Sequence, residues 1–340
     1  MSSTPAAPAS REKPKTISIG GVTYDLFVQI PHDSVHKEGS RCFEIPLGTK
    51  LKVKRVIETC GGGAGNTSVG LSRLGCSASI SSVLGEDQWG QRLLENFRKE
   101  GVATNSLTVV EKETTSFSII LSASGGERAI LYTPGTNAHL HDAVFDRAAL
   151  ADADWVILNH IQEQGCVIQD DISAVLRTSK KGFTWNPGGC ILDRGIQEEQ
   201  NRLLLSRTTL LILNREELER FTGIADTHAG MRRIMECGTR FVCVTDGARG
   251  SIATDGTKFY HCPVCPDAKV IDTTGAGDGF TTAASWALLS GHDLPFAMKA
   301  GTINSASVVG VMGAQGGLLT DIELRERIRS TNIVVSDESF

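Results

Sequence analysis

From residue 154 onward the chain repeats one pattern: apolar runs at 155–158, 182–185, 209–213 and 240–245, separated by stretches of helical periodicity. Short apolar runs alternating with helices specify a parallel sheet with crossover helices, since each returning connection must travel the length of the sheet. Three further helical segments follow at 276–290, 294–311 and 321–330. The first 150 residues read differently. Extended runs at 16–20, 26–30, 43–45 and 51–58 precede the glycines at 61–63 and a helix at 64–74. A strand at 77–83 and an amphipathic helix at 88–100 come next. Two β-rich runs, 116–121 and 127–132, then bracket the turn signal Gly125-Gly126. No linker of Pro, Gly and Ser separates the halves, so the expectation is one α/β domain over 14–331. It is a three-layer α/β/α sandwich whose small β-sheet lid comes from about 23–58 and 105–132. Residues 1–13, rich in Ser, Pro and Ala, and 332–340 are expected to be tails.

Composition narrows the function classes. The 340 residues are 40% hydrophobic and 21% charged, ordinary for a folded domain. A net charge of −5 with scattered Lys and Arg gives no electrostatic footprint for nucleic acid or an anionic membrane. Nine cysteines at irregular spacing, without a signal-peptide pattern, fit a reducing cytoplasm.

The chemistry concentrates at Asp272-Thr273-Thr274-Gly275-Ala276-Gly277-Asp278, which follows a β-type run at 268–271 and precedes the apolar helical stretch at 280–289. Two glycines flanking an alanine let successive backbone N–H groups converge on a phosphate oxygen, and the helix N-terminus adds partial positive charge. Asp278, on the first turn of that helix, is placed to accept a proton from an incoming hydroxyl. Asp is also a favoured helix cap, so these letters alone leave capping and catalysis both open.

The same segment resembles the C-terminal signature of the ribokinase-like (PfkB) carbohydrate kinases, and Gly61-Gly62-Gly63-Ala64-Gly65-Asn66 resembles their N-terminal signature. The resemblance covers nearly the whole chain. It implies an ATP- and Mg²⁺-dependent kinase that phosphorylates a hydroxymethyl group, with Asp278 as base and Gly275, Ala276 and Gly277 as the anion turn. Gly62, Gly63, Asn66 and Asp25 are implicated in binding acceptor hydroxyls. Asn214-Arg215-Glu216-Glu217 resembles the family's Asn-x-x-Glu element, in which Asn214 approaches ATP and Glu217 positions Mg²⁺ through water; carboxylates at a helix start also suit its dipole. Thr245, Gly247 and Gly250, within Thr245-Asp246-Gly247-Ala248-Arg249-Gly250, resemble the nucleotide-binding turn, although the letters equally describe a hairpin. Asp272 and Thr274 match residues that hold a monovalent cation such as K⁺ in many members. Lids that pair between subunits imply a homodimer.

Where ribokinases proper carry an acidic residue that touches the sugar, this chain reads Asn159-His160-Ile161-Gln162, which argues against ribose itself. A sugar is the expected acceptor. A nucleoside kinase is the alternative, with Tyr24, Phe27, Phe43 and Phe117 offering a slot for a base. A sugar phosphate is disfavoured because 20–25 and 61–66 lack Lys and Arg, leaving only Arg55 and Arg128 on the lid. A non-catalytic sensor would have lost the base or the anion turn, and neither is missing. Cys262 and Cys265 have Cys-x-x-Cys spacing without a second pair, and His139 and His141 have no partner in ligand spacing, so neither is assigned a metal. The absence of Gly-x-x-x-x-Gly-Lys-Ser/Thr excludes a P-loop, and that of Gly-x-Gly-x-x-Gly after the first strand disfavours a dinucleotide oxidoreductase.

Overall fold

The computed structural model describes residues 12–31, 35–36, 42–43, 45, 47–122, 128–140, 146–161, 167–177 and 181–340. A ten-stranded sheet runs in the order Ser336–Ser339, Lys258–Cys262, Ser251–Thr254, Phe241–Thr245, Leu210–Asn214, Gly182–Trp185, Trp155–Leu158, Lys15–Ile19, Ser77–Gly85 and Ala103–Val110. The strands from Phe241–Thr245 to Ala103–Val110 are parallel, and the other three add antiparallel at one edge.

Why the apolar runs are unbroken follows from what covers them. Ile17, Val156, Leu158, Phe183, Trp185, Leu211, Leu213 and Val242 pack into one core. The intervening Trp155, Ile157, Leu210, Ile212 and Cys243 pack into a second core on the opposite face. Alternate side chains point to opposite faces and both faces carry helices, so the central strands are mostly apolar, with Thr16, Ser18 and Thr184 as buried polar exceptions. The helix Ala276–Leu289 lies within the second core, with every residue from Gly279 to Ala287 buried, which explains its apolar character all round.

The lid is a separate four-stranded sheet in the order Arg55–Gly61, Thr23–Gln29, Phe117–Ser122, Arg128–Thr133. Thr23–Gln29 runs antiparallel to Arg55–Gly61 and parallel to Phe117–Ser122. Beneath it Trp89 stacks between Tyr24 and Phe117, with ring centroids 4.9 and 5.0 Å apart, and a third core forms around Val22, Phe97 and Leu93.

Three boundaries differ from expectation. Residues 105–110 belong to the strand Ala103–Val110 of the main sheet, where they pair with Ser77–Gly85, and not to the lid. As an edge strand with mostly half-exposed residues it alternates as a lid strand does. The 332–340 segment is not a tail, because Ser336–Ser339 extends the main sheet by pairing with Lys258–Cys262. Residues 268–271 form no strand, and Val270 and Ile271 are exposed there. Residues 1–11, Gly125-Gly126, His141 and Gln162 lie outside the described residues.

Candidate functional site

In an open parallel sheet the carboxyl ends of the strands leave the crevice in which ligands bind. Gly20, Asn159, Asn186, Asn214 and Asp246 each directly follow or close a strand at that edge. The two glycine-rich segments meet above it. Gly62 caps the helix Gly63–Arg73 with φ of 85°, and a Cβ there would lie 2.5 Å from the Gly21 carbonyl oxygen. Only glycine allows both the backbone angle and the approach. Gly275 caps the helix Ala276–Leu289 at φ 77°, where a Cβ would lie 2.7 Å from Ala314 Cα. Among the described residues no side chain caps that helix, and Ala276 N donates to the Thr273 carbonyl at 3.3 Å, so the Gly277 and Asp278 N–H groups are the ones left for an anion.

The two helices pack against each other at Gly70, where a Cβ would come within 2.6 Å of Thr282 Cγ2. This approach brings their N-termini together, and Asn66 Nδ2 donates to Asp278 Oδ2 at 2.7 Å. Burial pushes the Asp278 carboxyl above its usual range, while the Asn66 hydrogen bond opposes that rise. Asn66 is itself buried, and its Oδ1 has no partner among the described residues. It is an acceptor waiting for an O–H donor, beside the carboxylate that can take the same proton.

Asp25 closes the site from the lid. It is buried, its Oδ1 accepts from Ser118 Oγ, and a Cβ on the neighbouring Gly61 would collide with it. Burial raises its pKa to about 6, the Ser118 bond pulls it down, and the charge of Asp272 pushes it up again. Asp272 is thus near enough for its charge to be felt at Asp25. Its Oδ1 accepts from Thr274 N at 3.0 Å, Thr274 Oγ1 at 2.8 Å and Arg128 Nη1 at 2.7 Å, and its Oδ2 from Gly313 N at 3.1 Å. Arg128 Nη1 and Nη2 also donate to Thr274 Oγ1 and Thr273 Oγ1, at 3.1 and 3.0 Å. A lid guanidinium therefore lies against the phosphate turn. Asp272 Oδ1 thus accepts from three donors and Oδ2 from one, with the Arg128 guanidinium supplying positive charge beside them.

On the other side, Asn214 caps Arg215–Thr222 in a full capping box: its side chain accepts from Glu217 N and Glu217 Oε2 accepts from Asn214 N, each at 2.8 Å. Burial is the main cause that raises the Glu217 pKa, and the Asp278 charge contributes to the rise. The capping role is thus real and leaves Glu217 Oε1 uncommitted within the box. Thr245 ends one strand of a hairpin whose turn contains Gly247 and Gly250. A groove of about 430 Å³ lies beside it, lined by Arg215, Asp246, Arg249, Gly250, His261 and Ser336 among others.

Other polar and aromatic side chains have structural partners. Asn159 donates to the Ile19 carbonyl at 3.3 Å and Thr67 Oγ1 at 3.1 Å, bracing the glycine helix. Asn304 donates to the Gly279 carbonyl at 2.8 Å, Asn186 to the Ile212 carbonyl at 2.9 Å, and Cys262 lies 3.3 Å from Thr302 Oγ1. Tyr24 and Phe117 are committed to Trp89, and the Tyr24 hydroxyl donates to Glu58 at 2.7 Å. His139 pairs with Glu113 at 2.7 Å. The sequence did not disclose Ser118 or the direction of Arg128, each of which reaches the site through distant pairing; only the Gly125-Gly126 turn signal placed Arg128 on the lid at all.

An uncapped helix start with a carboxylate on its first turn, under a polar lid at the carboxyl edge of a parallel sheet, defines a phosphotransferase with an alcohol acceptor. The chain belongs to the pfkB family of carbohydrate kinases, whose model it matches over residues 37–321. Members are ATP-dependent kinases of sugar hydroxyls, typically with Mg²⁺. A ribokinase of Haemophilus influenzae is 27% identical over 324 residues, 92% of this chain and 98% of that protein. An uncharacterized sugar kinase of Archaeoglobus fulgidus is 29% identical over 259 residues, 75% of this chain and 100% of that one. The fold superposes on Arabidopsis thaliana ribokinase complexed with ribose and ATP at a TM-score of 0.79 and 21% identity, covering 94% of this chain and 99% of the other. No helix among the described residues is long and apolar enough to cross a membrane.

Proposed function

We propose that this kinase phosphorylates a hydroxymethyl group of a free sugar other than ribose, with Asp278 as the base. The observation that carries the reading is the Asn66–Asp278 hydrogen bond, which joins the acceptor-side glycine helix to the head of the phosphate turn. Asp25 and Asn66 Oδ1 accept hydrogen bonds from the sugar's hydroxyls and fix one of them beside Asp278. As that oxygen bonds to the γ-phosphorus of ATP, its proton passes to the Asp278 carboxylate and the bond to ADP breaks. N–H groups of the 275–277 turn and the Arg128 guanidinium stabilise the charge on the phosphoryl oxygens. Asn214, Thr245, Gly247 and Gly250 border the nucleotide. Glu217 suits a water-bound Mg²⁺, which when present neutralises phosphate charge. No step is assigned to K⁺.

Two observations favour a free sugar over the alternatives. Of the four aromatic side chains that would hold a nucleobase, Tyr24 and Phe117 are stacked on Trp89 and Phe27 is buried. Arg128, which would bind an acceptor phosphate, is aimed at Asp272, Thr273 and Thr274. The lid's exposed Val56, Ile130, Leu131 and Tyr132 support pairing of two lids in a homodimer. No disulfide links cysteines among the described residues, which fits a cytoplasmic enzyme. Coupled ADP release with Mg·ATP across hexoses, pentoses, nucleosides and sugar phosphates tests the substrate class. Turnover confined to nucleosides or to sugar phosphates contradicts it.

A further inference from the structure

Away from the phosphate turn, three metal-ligating side chains from three elements converge at the antiparallel edge of the main sheet. His228 belongs to the helix Thr227–Met235, His261 to the strand Lys258–Cys262, and Glu338 to the C-terminal strand Ser336–Ser339. His228 Nε2 lies 2.9 Å and His261 Nε2 3.0 Å from the same oxygen, Glu338 Oε1. One ligand atom from each residue fits within a sphere of contacts no wider than 4.8 Å, the scale of the ligand shell around a single ion. Packing fixes the rings before any ion arrives. His228 stands edge-on to the fully buried Phe259 at 4.3 Å, Phe340 stacks on Phe259 at 5.0 Å, and Arg232 lies over both rings. Asp337, next to Glu338, pairs with Lys258, so the strand is held on both sides of the cluster.

We propose that His228, His261 and Glu338 bind one divalent transition-metal ion of the zinc type, with water in the fourth position. Two imidazoles and one carboxylate form a donor set suited to Zn²⁺ and its neighbours, whereas Mg²⁺ prefers an all-oxygen shell. Because Glu338 lies on the last strand and its two partners do not, the ion joins the C-terminus to the sheet edge. An unfolded chain offers no such array, so occupancy stabilises the fold. The ligands must be deprotonated to hold the ion.

The test uses the untagged full chain, stripped with chelator and titrated with Zn²⁺ near pH 7.5 by calorimetry and thermal unfolding. One equivalent is expected to bind and to raise Tm. In His228→Ala, His261→Ala and Glu338→Gln, separately, affinity drops at least about tenfold and the rise in Tm is lost. Co²⁺ in place of Zn²⁺ is expected to give visible bands of a four-coordinate nitrogen and oxygen site without thiolate charge transfer. Absence of a saturable equivalent overturns the proposal. Equal affinity in all three variants, or thiolate bands with Co²⁺, assigns the metal to cysteines and overturns it as well.

Discussion

Asp25, the proposed acceptor-binding carboxylate, is kept at a cost to the fold. Its pKa of about 6 lies above that of an exposed carboxyl, chiefly through burial. The folded protein therefore holds that proton more tightly than the unfolded chain, and ionisation of Asp25 removes stability as pH rises through about 6. Acceptor binding runs the other way, because only the carboxylate accepts two hydrogen bonds from a diol. Asp25→Asn is expected to raise Tm at pH 8, by the equivalent of at most roughly 3 kcal/mol, and to weaken sugar binding in a KM measurement. In the unaltered enzyme 1/KM for the sugar is expected to rise with pH through about 6. Asn66 gives a second prediction. Its N–H favours the ionised form of Asp278, so Asn66→Ala lowers kcat by about ten- to a hundredfold, as for loss of a hydrogen bond to a charged group. It also moves the acid limb of the rate profile to higher pH. An unchanged limb contradicts that coupling. Asp278, Asn66 and Asp25 were legible because each belongs to a short stretch whose letters carry a resemblance. Ser118 and Arg128 were not, since nothing local in 116–121 or 127–132 records that these strands flank Thr23–Gln29 and cover the phosphate turn.

Between elements, the decisive contact is that of the helices Gly63–Arg73 and Ala276–Leu289. They approach closely at Gly70 and Thr282, and their N-termini then carry Asn66 and Asp278 to within a hydrogen bond. Gly70→Val forces the helices apart. Overpacking of this kind costs about 1–3 kcal/mol, and the account predicts a lower Tm in thermal unfolding together with a reduced kcat. Both helices and the central strands were readable from apolar periodicity, because burial on both faces leaves no ambiguity in a run such as 155–158. The edges were less readable. Ala103–Val110 is half-exposed like a lid strand, and Ser336–Ser339 is wholly exposed and carries no apolar signal; only its pairing with Lys258–Cys262 and the contacts of Glu338 and Phe340 hold it in place.

For the molecule as a whole, the proposed homodimer rests on the lid. Val56, Ile130 and Leu131 are 49%, 51% and 57% exposed, an apolar surface that a second lid would cover. Sedimentation at micromolar concentration is expected to give a dimer, and Leu131→Glu to shift it towards monomer; a monomeric unaltered chain contradicts the pairing. Everything else in the account converges on one proton transfer at the head of the phosphate turn. The most direct measurement is kcat for the sugar that the acceptor panel turns over fastest, with saturating Mg·ATP, in the unaltered enzyme and in Asp278→Asn. Asparagine keeps the shape and the Asn66 contact region but cannot take the proton. The account predicts a loss of about 10²- to 10⁴-fold with the fold and ATP binding intact; turnover within a few-fold of the unaltered enzyme would contradict it.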